Sequence, residues 1–344
     1  MECRERPRRK ICSFTLALIL INVGFLWRSS FAGTQSRVQR MDTGYSVLSP
    51  DYSPLWIAKE MGFFSAQFLD VQVVFLRGAT VGVQALVGGD IQLLVAAGPA
   101  LVDSNLAGID TMIIGTLANT FPFTMFSSPQ LKSAAQLKGK KIAVNSLTGA
   151  AIFATKLSLK TFGLNPDKDV TYIVAGSPDS RLALLKGGVV DATVLIAPQT
   201  LAAKNAGFNI LYDMSDLAIP YQSAGIASLK SYIRNNRDSV LSAMKAIIGA
   251  IHFIKVNKRD TMKVLAKYLR LNDMELVEEA YNFSQKRLLS KPLPEPEGIK
   301  TVLENSLLPD AKLASPTRVT DQSIVKEIND SGFIDKLYKS SSAK

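Results

Sequence analysis

A gap-free internal repeat is the feature that most constrains the fold of this chain. Val71–Ile109 matches Val170–Phe208 at a constant offset of 99 residues. Matched glycines and prolines, with apolar runs between them, predict two units of one topology. The agreeing residues are Gly88-Gly89 with Gly187-Gly188, Pro99 with Pro198, and Gly108 with Gly207.

Each repeat reads as strand, helix, strand and helix. The first strands are VQVVF and VTYIV, the second are Ile91–Ala97 and Ala192–Ala197, and the second helix of each copy opens at a proline. Proline suits the first turn of a helix. Continuously apolar strands that alternate with helices are typical of parallel sheets covered on both faces. The repeat therefore predicts an α/β fold with two lobes, each a mostly parallel sheet flanked by helices.

Further segments extend this layout. Tyr45–Ser49 and Lys141–Asn145 are predicted as strands that each lead into a helix. Phe121–Ser128 and Tyr221–Ser228 are predicted as two extended crossovers that form a hinge. The predicted organisation is a signal peptide at 1–32, a first lobe at 41–127, a second lobe at 128–222, and a return to the first lobe with C-terminal helices at 223–344.

Composition excludes several classes of protein. The chain has 344 residues, 47% hydrophobic and 20% charged, so it is too apolar to be disordered and long enough for two cores. Two Cys and one His disfavour metal, thiol and triad chemistry, and hence an enzyme. The net charge is +11, but six bases and two acids lie in residues 1–32, which leaves +7 for the rest. Without a stripe of arginine and aromatic residues, nucleic acid is not an expected partner.

The N-terminus has the pattern of an export signal. A basic stretch, Arg4–Lys10, precedes an apolar run, Ile11–Trp27, and the small residues of Ser30-Phe31-Ala32. This order predicts a signal peptide cleaved after Ala32, with a retained membrane anchor as the alternative. The choice between general and twin-arginine export stays open. Both cysteines, Cys3 and Cys12, lie in this segment, so a mature chain would contain neither.

Four segments together carry a family resemblance. They are YSPLWIAKEMGFF, GATVGVQALVGGDIQLLVAAGPA, LKGKKIAVNSLTGA and LLKGGVVDATVLIAP. In order and spacing they resemble the nitrate/sulfonate/taurine-type periplasmic solute-binding proteins of ABC importers, which include binders of thiamine pyrimidine precursors. The resemblance covers residues 45–338. It implies a two-lobed clamshell of periplasmic-binding-protein type II, without a cofactor, that closes on a small organic or anionic solute.

The same resemblance sets expectations for partners and for competing functions. It implies a periplasmic monomer that delivers its solute to a membrane permease. An enzyme on the same fold, of pyrimidine-precursor or menaquinone-pathway type, is the first alternative. Absence of cysteine from a mature chain disfavours it, because the synthase relatives carry a cysteine-rich motif. A membrane-tethered sensory module is the second alternative and requires the N-terminal run to be retained.

Candidate ligand-binding residues follow from the parallel sheets. Ligands bind beyond the carboxyl ends of such strands, where helix N-termini offer unpaired N–H groups. Hydroxyl and small side chains in these loops suit close approach of a ligand, although ordinary helix caps use the same residues. The first-lobe candidates are Ser49, Tyr52, Ser53, Gly78, Ala79, Thr80, Gly98 and Asn119. The second-lobe candidates are Ser146, Thr148, Gly149 and Ala150, and Tyr221 lies at the second crossover.

Overall fold

The computed structural model describes residues 38–147, 150–214, 219–306 and 308–341, and the predicted signal peptide lies outside them. These ranges contain ten strands and fifteen α-helices. The strands are β1 (Gln39–Tyr45), β2 (Leu69–Phe75), β3 (Leu93–Ala97), β4 (Thr111–Ala118), β5 (Thr124–Ser127), β6 (Lys140–Val144), β7 (Val170–Val174), β8 (Ala192–Leu195), β9 (Asn209–Asp213) and β10 (Ala224–Leu229). The helices are α1 (Ser53–Glu60), α2 (Phe63–Ala66), α3 (Ala79–Gly88), α4 (Gly98–Leu106), α5 (Ala150–Thr161), α6 (Pro178–Lys186), α7 (Gln199–Asn205), α8 (Lys230–Asn235), α9 (Arg237–Val256), α10 (Lys258–Leu269), α11 (Met274–Arg287), α12 (Pro296–Asn305), α13 (Pro316–Val319), α14 (Ser323–Asp330) and α15 (Phe333–Ser341).

The strands form two five-stranded sheets within one compact unit, Gln39–Lys344. The first sheet has the order β2-β1-β3-β10-β4, and the second has the order β7-β6-β8-β5-β9. In each sheet one strand, β10 or β5, runs antiparallel to both of its neighbours. The fold is therefore α/β and two-lobed, and each sheet is mostly parallel, as predicted.

The elements of the two lobes follow the repeat in the sequence. Helix α3 begins at Ala79 and α6 at Pro178, and β3 begins at Leu93 and β8 at Ala192. Both pairs keep the offset of 99 residues. The two sheets also have equivalent strand orders. These matches confirm that the repeat encodes two units of one topology.

The chain passes between the sheets twice. After β4 in the first sheet it enters the second sheet at β5, and after β9 it returns to the first sheet at β10. Strand β5 pairs with β8 and β9. The predicted boundary after residue 127 would assign β5 to the first lobe, whereas its pairing lies in the second sheet. The hydrogen-bonded neighbours of β5 therefore place this strand in the second sheet.

The predicted start of the first strand was wrong. A strand was expected at Tyr45–Ser49, but β1 ends at Tyr45. Residues 39–45 pair in parallel with Leu69–Phe75 along the whole strand, despite polar side chains on β1. Ser49 instead has a capping role, because its hydroxyl accepts from the N–H of Asp51 at the 3-10 turn Pro50–Tyr52.

The longest helix, α9, forms the core of the first lobe rather than a surface element. It packs against α1 and α2. A Cβ added at Gly249 would lie 3.0 Å from the Phe63 ring, so glycine permits this close contact. Among the described residues, α9 alone is long and apolar enough to cross a membrane by length and composition, and 61% of its most apolar window is buried inside the protein.

Candidate functional site

The carboxyl ends of the parallel strands define the candidate site in each sheet. In the first sheet, the connection after β1 leads to β2 on one side, whereas the connection after the neighbouring strand β3 leads to β4 on the other side. The second sheet repeats this pattern with β6 between β7 and β8. Such topological switch points are where open α/β sheets bind ligands. The loops after β1, β3, β6 and β8 therefore carry the residues of interest.

The loop after β1 is buried and polar. Ser49 caps the turn Pro50–Tyr52, with its hydroxyl 3.4 Å from the N–H of Asp51. The Tyr52 hydroxyl is buried, which raises its pKa, and a hydrogen bond with Ser46 acts in the opposite direction. The Ser53 hydroxyl is buried without a hydrogen-bond partner among the described residues. Of the three predicted residues in this loop, Ser53 thus retains an unused polar group.

A buried ion pair connects this loop to both crossovers. Arg287, at the end of α11, lies 3.1 Å from Asp51 through Nη2 and Oδ2. The same guanidinium donates to the Thr120 hydroxyl at 2.8 Å and to the Phe121 carbonyl at 3.1 Å, both on the first crossover. It also donates to the Ser223 hydroxyl on the second crossover, at 3.3 Å. One side chain therefore holds together the candidate loop and the two segments that join the lobes.

The loop after β2 is open. Gly78 has a φ of +99°, and no atom lies within 4 Å of the position of an added Cβ. Its N–H donates to the Ser46 carbonyl at 3.1 Å. Ala79 begins α3 and is half-buried, while Thr80 is exposed. These three predicted residues leave the N-terminus of α3 accessible from solvent.

Gly98 and Asn119 are held by packing around the second crossover. A Cβ on Gly98 would lie 2.0 Å from the carbonyl oxygen of Gln222. The Gly98 N–H donates to the Ser223 carbonyl at 3.1 Å. The Asn119 side chain donates to the Glu295 carboxylate at 3.2 Å. The backbone carbonyl of Asn119 accepts from the Tyr221 N–H at 2.7 Å. Close packing explains glycine at position 98 without any ligand.

Tyr221 lies inside the hinge rather than on its surface. Its ring is 1% exposed and stacks on Phe121, with 3.9 Å between ring centroids. Phe153 on α5 packs against the same pair. The hydroxyl of Tyr221 is buried without a partner among the described residues, and burial raises its pKa. Tyr221 was predicted as a ligand-binding residue at the second crossover, and in this structure its ring fills the core between the crossovers.

The predicted anion loop of the second lobe is described only in part. Ser146 is half-buried. Thr148 and Gly149 lie outside the described residues, and α5 begins at Ala150. Next to this loop, the Oδ1 atom of Asn145 is buried and has no partner in the described ranges.

Sequence reasoning missed two arginines. Arg287 was assigned only to a helical region, and its partner Asp51 is 236 residues away, so no local pattern links them. Arg181 on α6 is 2% exposed and donates to the carbonyls of Val194 at 3.2 Å and Gly176 at 2.6 Å. The repeat contained a signal for it, because the matching residue at the offset of 99 is Gly82.

In the described part of the chain, no group of three His, Cys, Asp or Glu residues could hold a metal ion. His252 lies on α9, with its ring edge-on to Tyr338 at 4.8 Å between centroids. Burial lowers the pKa of His252.

Solved structures share this fold. The alkanesulfonate-binding protein SsuA of Xanthomonas axonopodis pv. citri, bound to MOPS, has a TM-score of 0.65 and 22% identity over 82% of this chain and 96% of that one. The periplasmic aliphatic sulphonate binding protein SsuA of Escherichia coli has a TM-score of 0.66 and 20% identity over 84% and 96%. The periplasmic nitrate-binding protein NrtA of Synechocystis PCC 6803 has a TM-score of 0.68 and 17% identity over 86% and 89%.

Sequence comparison gives the family. Comparison with curated proteins yields no significant match. The family model described as NMT1/THI5 like matches residues 49–259, which is more than half of the chain and spans both sheets. Together with the periplasmic-binding-protein fold, this match shows that the chain belongs to the NMT1/THI5-like family.

Proposed function

We propose that this protein is the extracytoplasmic solute-binding component of an ABC transporter. It captures a small organic or anionic solute between its lobes and delivers it to a membrane permease. The observation that carries this proposal is the presence of buried polar atoms near the carboxyl ends of strands in both lobes, Ser53 Oγ and Asn145 Oδ1, that have no hydrogen-bond partner within the described ranges. Such atoms are costly unless a partner is supplied, and a bound solute supplies one.

The connections between the lobes support closure on that solute. The chain crosses between the sheets only at the segments before β5 and before β10 within the described residues. Two adjacent crossovers allow one lobe to rotate against the other while each core stays intact. We assign the first lobe to residues 41–127 and 223–344 and the second to 128–222, except that β5, which pairs in the second sheet, belongs to the second lobe.

Export and the absence of catalysis are part of the proposal. The segment 1–32 directs the chain to the periplasm and is cleaved after Ala32, so the mature monomer begins at Gly33. Intact mass measurement of the exported protein checks this, and a membrane-bound chain that retains Met1 favours a tethered sensory module. Action as a binder rather than an enzyme is supported by the engagement of Asp51 with Arg287 and by the single His of the chain.

The decisive experiment identifies the solute. Protein purified without denaturation is unfolded, and the released small molecules are analysed by mass spectrometry. We expect one dominant solute, and its addition to stripped protein should reduce the radius of gyration in solution scattering. Absence of both a released solute and compaction contradicts the proposal. Conversion of the solute into a product during incubation favours an enzyme.

A further inference from the structure

Arg181 is a buried cation, and among the residues that the structure describes no carboxylate contacts it directly. Only two of its N–H groups have acceptors in the described part of the chain, Nε with Val194 O and Nη1 with Gly176 O. A guanidinium has five N–H donors, so three are unused. The negative charge of Asp179 acts on Arg181 and raises its pKa against the effect of burial, but the Asp179 carboxylate accepts its hydrogen bond from Gln199, at 2.8 Å. Burial lowers the pKa of Arg181 to about 10, which still leaves it charged at neutral pH.

The guanidinium lies at the switch point of the second sheet. Strands β6 and β8 pair as far as Ala143 and Thr193. The carbonyl that accepts from Arg181 belongs to Val194, one residue beyond this last pair. Asn145, whose buried Oδ1 has no partner among the residues described, directly follows β6. Two polar side chains with unused hydrogen-bonding capacity therefore meet the carboxyl ends of the two strands that flank the switch point.

The two repeats satisfy one matching strand carbonyl with different donors. In the first repeat, the carbonyl of Val95 accepts from the backbone N–H of Ser46 at 3.1 Å. At the offset of 99 residues the matching carbonyl is that of Val194, and it accepts from the Arg181 side chain instead. In the first lobe a backbone amide donates to this carbonyl, and Gly82 occupies the helix position that matches Arg181. The second lobe thus carries a buried charge at a helix position where the first lobe has glycine.

We propose that Arg181 binds an oxyanion group, a carboxylate or a sulfonate, of the captured solute, and that Oδ1 of Asn145 accepts a hydrogen bond from a donor group on the same molecule. This inference rests on the proposed function and names the solute class as organic anions. Buried charges are paired in folded proteins, and an oxyanion of the solute provides the missing partner. The planar guanidinium suits bidentate binding of such groups.

The experiment uses two simple oxyanions, sodium methanesulfonate and sodium acetate, at constant ionic strength maintained with sodium chloride. Thermal unfolding of the full-length chain is followed as each anion is titrated. The variants are Arg181→Met, which removes the charge, and Arg181→Lys, which keeps the charge without the bidentate fork. Lys186→Met is the matched control, because Lys186 is exposed at the other end of the same helix.

We expect at least one anion to stabilise the wild type in a saturable manner. Arg181→Met should weaken the apparent affinity about 10- to 100-fold, as expected for loss of charge-assisted hydrogen bonds, while Lys186→Met leaves it unchanged. If Arg181→Met fails to fold, Arg181→Lys carries the test, and its affinity should still fall because the fork is lost.

Three results overturn the inference. They are an equal response of the wild type and the Arg181 variants, no response of the wild type to either anion, and a neutral or cationic solute released from natively purified protein. The last result leaves the solute-binding function intact, so failure of the role of Arg181 is distinguishable from failure of the proposed function.

Discussion

Nη2 of Arg287 lies 3.1 Å from Oδ2 of Asp51, and both side chains are almost wholly buried. The remaining donors of the guanidinium are directed at Thr120, Phe121 and Ser223 on the two crossovers. The pair therefore connects the candidate ligand loop to the hinge. Its energetic value depends on burial, because breaking a buried pair leaves an uncompensated charge.

Replacement of Arg287 by Met should therefore destabilise the protein by about 3 to 5 kcal/mol. The matched control is Arg237→Met, which breaks an ion pair with Glu327 of 2.6 Å whose side chains are 40% and 50% exposed. Exposed pairs contribute about 0 to 1 kcal/mol. Urea unfolding of the three proteins measures both effects. Equal losses of unfolding free energy in the two variants would show that the buried Arg287 pair contributes no more to stability than the exposed Arg237 pair.

Gly98 gives a prediction about packing at the second crossover. A Cβ at this position would lie 2.0 Å from the Gln222 carbonyl oxygen, and backbone must shift to accept it. Gly98→Ala should cost about 1 to 3 kcal/mol or more, as overpacking does.

The matched control is Gly88→Ala at the end of α3, where the nearest atom to the added Cβ is Asp90 Oδ2 at 3.5 Å, an ordinary contact. That change should leave stability unchanged or slightly raised, because alanine is favoured over glycine in a helix. Denaturant midpoints compare the two variants. An equal or larger loss for Gly88→Ala would contradict the packing explanation for Gly98.

The repeat and the layout of the sheets could be predicted because they depend on local signals, the glycines and prolines at which helices end or begin. Gly88-Gly89 and Gly187-Gly188 end helices in both lobes, and such signals act within a few residues. The environment of Tyr221 could not be predicted in this way. Its stacking partner Phe121 lies on the other crossover, so only the assembled fold brings the rings together.

The arginines of the site were missed for the same physical reason. Arg287 contacts Asp51 across 236 residues, and Arg181 is distinguished by what it lacks, a carboxylate partner in the described part of the chain. A pattern of residue types along the sequence does not reveal burial of a charge. The offset of 99 residues does show that arginine replaces glycine at this helix position, and a residue-by-residue comparison of the repeats could have raised the question.

His252 gives a prediction about pH. Burial lowers its pKa below the usual 6.5. The unfolded chain therefore binds the proton first as pH falls, so stability is complete above about pH 6.5 and decreases as pH falls through the lower pKa of the folded state. His252→Gln should reduce the loss of stability between pH 7.5 and the mildly acidic range. Urea midpoints at several pH values measure it, and identical pH profiles for the two proteins would contradict it.

At Tyr221, the contribution of the ring to stability can be measured separately from the contribution of the hydroxyl. The ring stacks on Phe121, whereas the hydroxyl is buried without a partner among the described residues. Tyr221→Phe keeps the stacking and removes the unsatisfied group, so the ligand-free protein should keep or gain stability. Tyr172→Phe is the matched control, because the Tyr172 hydroxyl donates to the Pro166 carbonyl at 2.7 Å. That variant should lose about 0.5 to 1.5 kcal/mol.

Thermal unfolding of both tyrosine variants, with and without the solute released from native protein, completes the test. If the Tyr221 hydroxyl binds that solute, Tyr221→Phe should reduce the ligand-induced stabilisation while the ligand-free protein remains at least as stable as wild type. A loss of ligand-free stability comparable to that of Tyr172→Phe would mean that the Tyr221 hydroxyl has a structural partner. Ligand-induced stabilisation equal to that of wild type would remove Tyr221 from the candidate site, and its role would then be confined to packing against Phe121 and Phe153.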